Sequence, residues 1–175
     1  MAIKAIFLDR DGVINKEINY LHRIDDFQFI NGIFEACQFL ESLNYKIIVI
    51  TNQSGISRGY YTEIDFQKVT KWMLGQFHKN NIEILDVIHC PHLPSDYCDC
   101  RKPKPGMLLS AKSKYCIDME NSWMIGDKEE DIMAANAVNI KNTILVRSGH
   151  KINEKITKAK FVIDSIKESK FVINK

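Results

Sequence analysis

Residues 3–12 read IKAIFLDRDG: an apolar-rich run that breaks off in Asp9, Arg10, Asp11 and Gly12. The run is too short for a core helix and has the composition of a buried strand, so its charged end should mark a strand terminus. Working outward, similar runs recur as KIIVI (46–50), ILDVIH (84–89), SWMI (122–125), TILV (143–146) and KFVI (160–163). Helical spacing lies between them. Ile33, Ala36, Cys37, Leu40 and Leu43 repeat on one face, and so do Phe66, Val69, Met73 and Phe77. Thr62 and Asp65 stand in capping-box positions at the start of the second helix. Pro105 suits the first turn of another, and a last helix follows Asp127 with Ile132 and Ala135 inward. Strands alternating with helices predict an α/β fold, a Rossmann-like three-layer sandwich around a mostly parallel sheet.

In such a sheet ligands bind beyond the carboxyl ends of the strands. What stands there is Asp9-Arg10-Asp11-Gly12 after the first strand and Thr51-Asn52-Gln53-Ser54-Gly55 after the second. Gly126-Asp127 follows the fourth, with Asp131 four residues on, and Arg101-Lys102 comes some way after the third. Folding brings three carboxylates, a hydroxyl with backbone N–H groups, and a lysine to one edge. Clustered carboxylates repel one another unless a cation joins them, and hard oxygen ligands suit Mg²⁺. Thr51 and nearby N–H groups suit a phosphate that Lys102 neutralises, and a carboxylate can act as nucleophile. Each piece alone also reads as ordinary structure: a solvated turn for DRDG, a helix start for TNQSG, an acidic first turn for GDKEED. Their joint placement is what carries weight.

The chain has 175 residues, is 45% hydrophobic and 26% charged, and carries a net charge of +2. That balance gives no sign of a nucleic-acid or membrane partner. The start, MAIKAIFLDRDG, lacks the pattern of a signal peptide, so a cytoplasmic, reducing location is expected. Of five cysteines, Cys37 and Cys116 fall in helical-looking segments and read as packing residues. Cys90, Cys98 and Cys100 cluster with His92 in HCPHLPSDYCDCRKPKPG (89–106). A metal site, free thiols in a proline-rich loop and a Cys98–Cys100 disulfide are all open on spacing alone, the disulfide being disfavoured where thiols stay reduced.

FLDRDGVIN, VITNQSG, RKPKPG and MIGDKEED, in that order, resemble the four motifs of the haloacid dehalogenase superfamily of phosphohydrolases. YLHRIDDFQFI, TNQSGISRGYYTE, CPH and CDCRKPKPGM extend the resemblance, from residue 3 to about 148, to its histidinol-phosphatase-type branch. The resemblance implies a Mg²⁺-dependent phosphomonoesterase for a phosphorylated small molecule. A heptose 1,7-bisphosphate, cleaved at C7 on the way to nucleotide-activated heptose for surface glycans, is the first expectation and histidinol phosphate the alternative. Asp9 is then the nucleophile, and Asp11 the acid and later the base. Thr51 and Lys102 hold the transferring phosphate. Mg²⁺ falls to Asp9, the Asp11 carbonyl and Asp127, with Lys128 beside them. Substrate contacts are expected from Asp9, Arg10, Asp11, Glu17, Ile18, Asn19, Tyr20, Thr51, Asn52, Gln53, Ser54, Arg58, Arg101 and Lys102. Arg10 is the least secure of these; its side chain is expected on the face opposite the aspartates. Cys90, His92, Cys98 and Cys100 match the branch's zinc ligands, a closed structural site that pins the loop carrying Arg101 and Lys102.

Two departures stand out. Only Leu93–Tyr97 separate His92 from Cys98, a short zinc loop, and Asn19 precedes Tyr20 where a glycine is usual, with Asn19 expected to take the left-handed conformation. The segments between Gly12 and Lys46 and between Asn52 and Arg101 leave no room for a cap domain. One monomeric domain over residues 1–175 is therefore expected, with selectivity resting on loops 12–23, 54–61 and 90–102.

Overall fold

The computed structural model describes residues 2–173. Six strands form one sheet: β1 (Ala5–Leu8), β2 (Lys46–Asn52), β3 (Ile84–Cys90), β4 (Trp123–Gly126), β5 (Asn142–Val146) and β6 (Phe161–Ile163). Their order is β3-β2-β1-β4-β5-β6, and every pairing is parallel. Each of the six expected strands forms. Among the described residues the four α-helices are α1 (Ile33–Ser42), α2 (Glu63–Lys79), α3 (Gly106–Tyr115) and α4 (Glu129–Asn136).

Both sheet faces are covered, which is why the strands read as near-continuous apolar runs. Alternate residues serve opposite layers. Ile6, Leu8, Ile47, Val49 and Ile125 pack with Ile33, Leu40, Val69 and Met73 of α1 and α2. Ala5, Phe7, Ile48, Ile50 and Met124 pack with Leu108, Ala111, Ala134 and Ala135 of α3 and α4. The three-layer sandwich is thus built from the period-two pleat. Helix α2 starts as the sequence predicts: the Asp65 N–H donates to Thr62 Oγ1 at 3.1 Å, and Asp65 Oδ2 accepts from the Thr62 N–H at 2.9 Å.

Helix α3 begins next to Pro105, as expected, with the proline at its cap. Some expectations need correction. Cys116 does not pack: it caps α3 with φ 53° and is exposed, while Cys37 is buried. The left-handed non-glycine residue of the first loop is Tyr20 (φ 57°), not Asn19. The excursions 12–45 and 53–101 add only short 3₁₀ turns, α1, α2 and β3, so no cap domain covers the sheet among the described residues. Nor is any described helix long and apolar enough to cross a membrane.

The strand order reverses at β1, which pairs with β2 on one side and β4 on the other. Leu8 sits in register with both Val49 and Ile125. The residues that follow therefore emerge together at the switch point, where α/β sheets open a crevice.

Candidate active site

A cavity of about 220 Å³ opens at that point, lined on its floor by Asp9, Asp11, Thr51, Asn52, Lys102 and Asp131. Glu17, Ile18, Asn19, Tyr20, Gln53, Ser54, Arg58, Arg101 and Lys128 also line it. All the expected substrate contacts are brought together except Arg10, whose side chain is 1% exposed beneath the floor.

Asp9 takes its position directly from β1. Its N–H donates to the Ile125 carbonyl at 3.0 Å, extending the pairing with β4. Its Oδ1 accepts from the Arg10 N–H at 2.8 Å and pairs with Lys102 Nζ at 3.0 Å. Lys102 also meets Asp131 Oδ1 at 2.6 Å and donates to the Ile50 carbonyl at 2.9 Å. Its backbone is fixed by Asn52: the Lys102 N–H donates to Asn52 Oδ1 and the Asn52 side-chain amide donates to the Lys102 carbonyl, both at 3.1 Å. Strand β2 thereby places the lysine that follows the cysteine loop.

Asp11 is held from three sides. Arg10 Nη2 donates to both of its oxygens at 3.0 Å, Asn15 Nδ2 to Oδ1 at 2.9 Å, and Gln53 Nε2 to Oδ2 at 3.0 Å. Arg10 therefore does not point away from both aspartates; it orients Asp11 from below. Gln53 also donates to Thr51 Oγ1 at 2.8 Å and accepts from the Tyr61 hydroxyl at 2.5 Å. With its lone pair so used, the Thr51 hydroxyl can turn its own proton to a ligand.

The electrostatics favour a cation. Asp9, Asp127 and Asp131 each offer an oxygen within 4.8 Å of the others, and all three are buried. Burial, reinforced by Asp131 and Asp11 and opposed by Lys102, pushes the Asp9 carboxyl up to about 6. Burial also raises Asp127, with Asp9 adding to it and His150 opposing, and raises Asp131 against the pull of Lys102. For Lys102, burial works against the charge, yet Asp131 and Asp9 outweigh it and hold the ammonium above its ordinary range. One lysine cannot balance three carboxylates. Asp127 Oδ1 is moreover buried with no hydrogen-bond partner among the described residues. An orphaned carboxylate oxygen amid excess negative charge fits a hard divalent cation.

The cysteine cluster is a separate site. Cys90 Sγ lies 3.0 Å from Cys100 Sγ and 3.6 Å from Cys98 Sγ; His92 Nδ1 lies 3.5 Å from Cys90 Sγ and 3.2 Å from Cys100 Sγ. All five cysteines are free, so the Cys98–Cys100 disulfide is not formed. Three sulfurs and one imidazole nitrogen converging on a point are the donor set and number of a closed tetrahedral zinc site. Arg101 is tied to this cluster through Nη1, which donates to the His92 carbonyl at 3.4 Å.

Three residues of the site escaped the sequence reading. Asp131 stood in view four residues past Asp127 without a role; its partner is Lys102. His150, 2.6 Å from Asp127 Oδ2, follows β5 and was open to the same strand-end rule that found the others. Tyr61 gave no signal, since nothing local distinguishes it from Tyr60.

A parallel sheet with a nucleophile-type aspartate, a second aspartate two residues on, a lysine and an acidic cation pocket at the switch point defines a phosphohydrolase of the haloacid dehalogenase type. Comparison with known proteins agrees. Residues 99–169 match the family described as "HAD-hyrolase-like". The chain is 50% identical to D-glycero-alpha-D-manno-heptose-1,7-bisphosphate 7-phosphatase of Campylobacter jejuni, over 86% of this chain and 87% of that one. It is 48% identical to D-glycero-beta-D-manno-heptose-1,7-bisphosphate 7-phosphatase of Vibrio cholerae, over 96% and 95%. Among solved structures, D,D-heptose 1,7-bisphosphate phosphatase from B. bronchiseptica, complexed with magnesium and phosphate, superimposes with a TM-score of 0.82 at 26% identity, covering 94% of each chain. The chain belongs to the haloacid dehalogenase-like hydrolases, in the family of the D-glycero-D-manno-heptose-1,7-bisphosphate 7-phosphatases.

Proposed function

We propose that the protein is a Mg²⁺-dependent phosphomonoesterase that removes the C7 phosphate of D-glycero-D-manno-heptose 1,7-bisphosphate, leaving heptose 1-phosphate. The observation that carries this is the Asp9–Lys102 pair at 3.0 Å on the cavity floor, beside an Asp11 held for proton transfer. It is joined to relatives named for that substrate.

In the first step Asp9, through the oxygen not engaged by Lys102, attacks phosphorus. The bond from phosphorus to the C7 oxygen breaks, and Asp11 gives that oxygen a proton. In the second step Asp11 takes a proton from water, which attacks the aspartyl-phosphate, freeing phosphate and restoring Asp9. One group acting first as acid and then as base splits a difficult hydrolysis into two easier steps. Lys102 and the Thr51 hydroxyl steady the phosphoryl oxygens. Asp9, the Asp11 carbonyl and Asp127, with Lys128 alongside, would hold Mg²⁺, which would supply charge neutralisation at the phosphoryl oxygens. Cys90, His92, Cys98 and Cys100 would hold zinc in a structural part, pinning the loop whose His92 carbonyl accepts from Arg101 at the rim. Arg58 and Arg101 serve the sugar or its second phosphate.

Initial rates on both anomers of the heptose bisphosphate and on histidinol phosphate, in one Mg²⁺ buffer, test the reading. The bisphosphate should be strongly preferred. A preference for histidinol phosphate would overturn the substrate while leaving the nucleophile and fold in place.

A further inference from the structure

The segment following β5 closes on Asp127 from a direction that the proposed reaction does not use. Asp127 Oδ2 accepts two hydrogen bonds from one residue: the His150 N–H donates at 2.9 Å and its ring Nδ1 at 2.6 Å. A carboxylate only accepts, so Nδ1 carries the proton. The backbone closes in as well. A β-carbon on Gly12 or Gly149 would collide with the Asp127 carboxylate, and Gly12 takes φ +84°, a conformation that side chains resist. Ser148 Oγ donates to the Gly12 carbonyl at 2.7 Å, tying the β5 loop to the turn after β1. Further out, Arg147 is anchored by both oxygens of Glu154, at 2.7 and 2.9 Å, and by Asp164 at 2.7 Å. The loop that presents His150 is therefore fixed at both ends.

One carboxylate oxygen is thus doubly engaged, while the other, Oδ1, is buried and without a partner among the described residues. A backbone tie alone would hold the loop. The added ring contact falls on the same oxygen and locks the carboxylate's rotation. We infer that His150 is a positioning residue for the cation: by occupying Asp127 Oδ2 it fixes Oδ1 as the oxygen offered to Mg²⁺. This rests on the proposed Mg²⁺ site. Outer partners of this kind orient a metal ligand and tune its affinity without touching the metal. The other ring nitrogen, Nε2, lies 3.9 Å from Glu17 Oε1, so the same imidazole stands between the cation ligand and the substrate loop 12–23.

The test is calorimetric titration of Mg²⁺ into the zinc-replete protein without substrate, comparing wild type with Asp127→Asn, His150→Ala and His150→Asn. Zinc content and the Mg²⁺-free melting temperature are measured on the same samples. Wild type should bind, Asp127→Asn should not, and His150→Ala should bind about ten- to a hundredfold more weakly. His150→Asn keeps a side-chain N–H donor near the Nδ1 position and should recover most of the loss. If His150→Ala binds like wild type, the positioning role is wrong though the cation site stands. If both His150 variants bind equally weakly and melt early without Mg²⁺, His150 only holds the loop, and the inference falls. If Asp127→Asn binds as tightly as wild type, the cation site itself is misplaced and this inference falls with it.

Discussion

The floor of the cavity and its rim are built on different principles. The floor consists of side chains at or just beyond strand ends and helix starts, and most of it is closed to water: Asp131 and Thr51 are 1% exposed, Lys102 3% and Asp9 7%, with the fully buried Asp127 next to them. Its geometry follows from parallel pairing and from backbone ties such as the Asn52–Lys102 couple. The rim comes from loops 12–23, 54–61 and 90–102 and is open: Tyr20 is 40% exposed, Tyr60 57% and Tyr97 87%. Its order comes from side-chain contacts, with Tyr20 edge-on to Tyr60 at 4.7 Å and Arg58 5.9 Å above the Tyr20 ring. On the far side it depends on the cysteine cluster. On the proposed function, the difference separates chemistry from choice of substrate: the sheet sets where a phosphoryl group would react, while the loops would decide what is attached to it.

The sharpest way to break this division is Asp9→Asn. It removes the proposed nucleophile but keeps the shape, so kcat should fall by about four orders of magnitude, in keeping with loss of a catalytic group elsewhere, while zinc content and far-ultraviolet circular dichroism stay unchanged. Substantial residual turnover would mean that the floor does not act through Asp9.

Cys100→Ser attacks the rim instead. Losing one of four proposed zinc ligands should loosen residues 90–102 and release Arg101, and should lower kcat/KM by about ten- to a hundredfold. The urea transition of the α/β body should persist, because most of the two apolar layers lies outside the loop, which adds Cys90 and the flanking Cys98 and Cys100 to one of them. Freshly purified, reduced protein should contain about one zinc per chain; its absence by elemental analysis would leave the rim's order without a cause.

Arg101→Ala is finer. A charge-assisted contact to a remote phosphate is worth roughly 1.5–3 kcal/mol, or about ten- to a hundredfold. The variant should lose that much kcat/KM on the heptose bisphosphate and clearly less on a monophosphate without the second charge. Equal losses on both would assign Arg101 to the reacting phosphate, and so to the floor.

A fourth measurement probes the floor through protons. Burial raises the Asp9 carboxyl to about 6 in the cation-free protein. A raised acid stabilises the fold below its unfolded pKa, and that contribution is lost as pH climbs through the folded value. Mg²⁺ needs the ionised form, so protons compete with it. The Mg²⁺-induced rise in melting temperature should be small near pH 5 and grow to a few degrees above pH 6–7, following ligand linkage. A rise independent of pH would indicate a cation site that does not include Asp9.

The floor was far more legible in the sequence than the rim, for a physical reason. Strand ends are announced by apolar runs, and IKAIFLDRDG or KIIVITNQSG shows at once which residues leave the sheet. Asp9, Thr51, Lys102 and Asp127 follow from that rule plus the order of motifs. Loop geometry carries no such period. Asn19 was the expected left-handed residue because asparagine tolerates that region, yet Tyr20 takes it, held in place by contacts with Tyr60 and Arg58 from a loop some forty positions away in the chain. Arg10 failed similarly. Alternation along an extended strand sends neighbours to opposite faces, but the chain turns after Asp9, and a long guanidinium curls back under Asp11.

The smallest expected effect lies where floor and rim meet. Tyr61 ends the 54–61 loop but is only 5% exposed, and its hydroxyl donates to Gln53 Oε1. Gln53 in turn holds Asp11 Oδ2 and Thr51 Oγ1. The amide's orientation decides the whole relay: with Oε1 fixed by Tyr61, Nε2 must face Asp11, the proposed acid–base group. Burial holds the phenol up at about 12, so it remains a proton donor throughout the working range. Tyr61→Phe deletes one donor from an otherwise intact network, a change worth about 1 kcal/mol or roughly fivefold. The loss should appear in kcat more than in KM, because the deleted hydroxyl bonds Gln53, which in turn holds the groups proposed to transfer protons and steady the phosphoryl. It should also be about equal for the bisphosphate and a simple monophosphate. A loss confined to KM, or to the bisphosphate alone, would place Tyr61 with the rim and move the boundary between the two regions inward to Gln53.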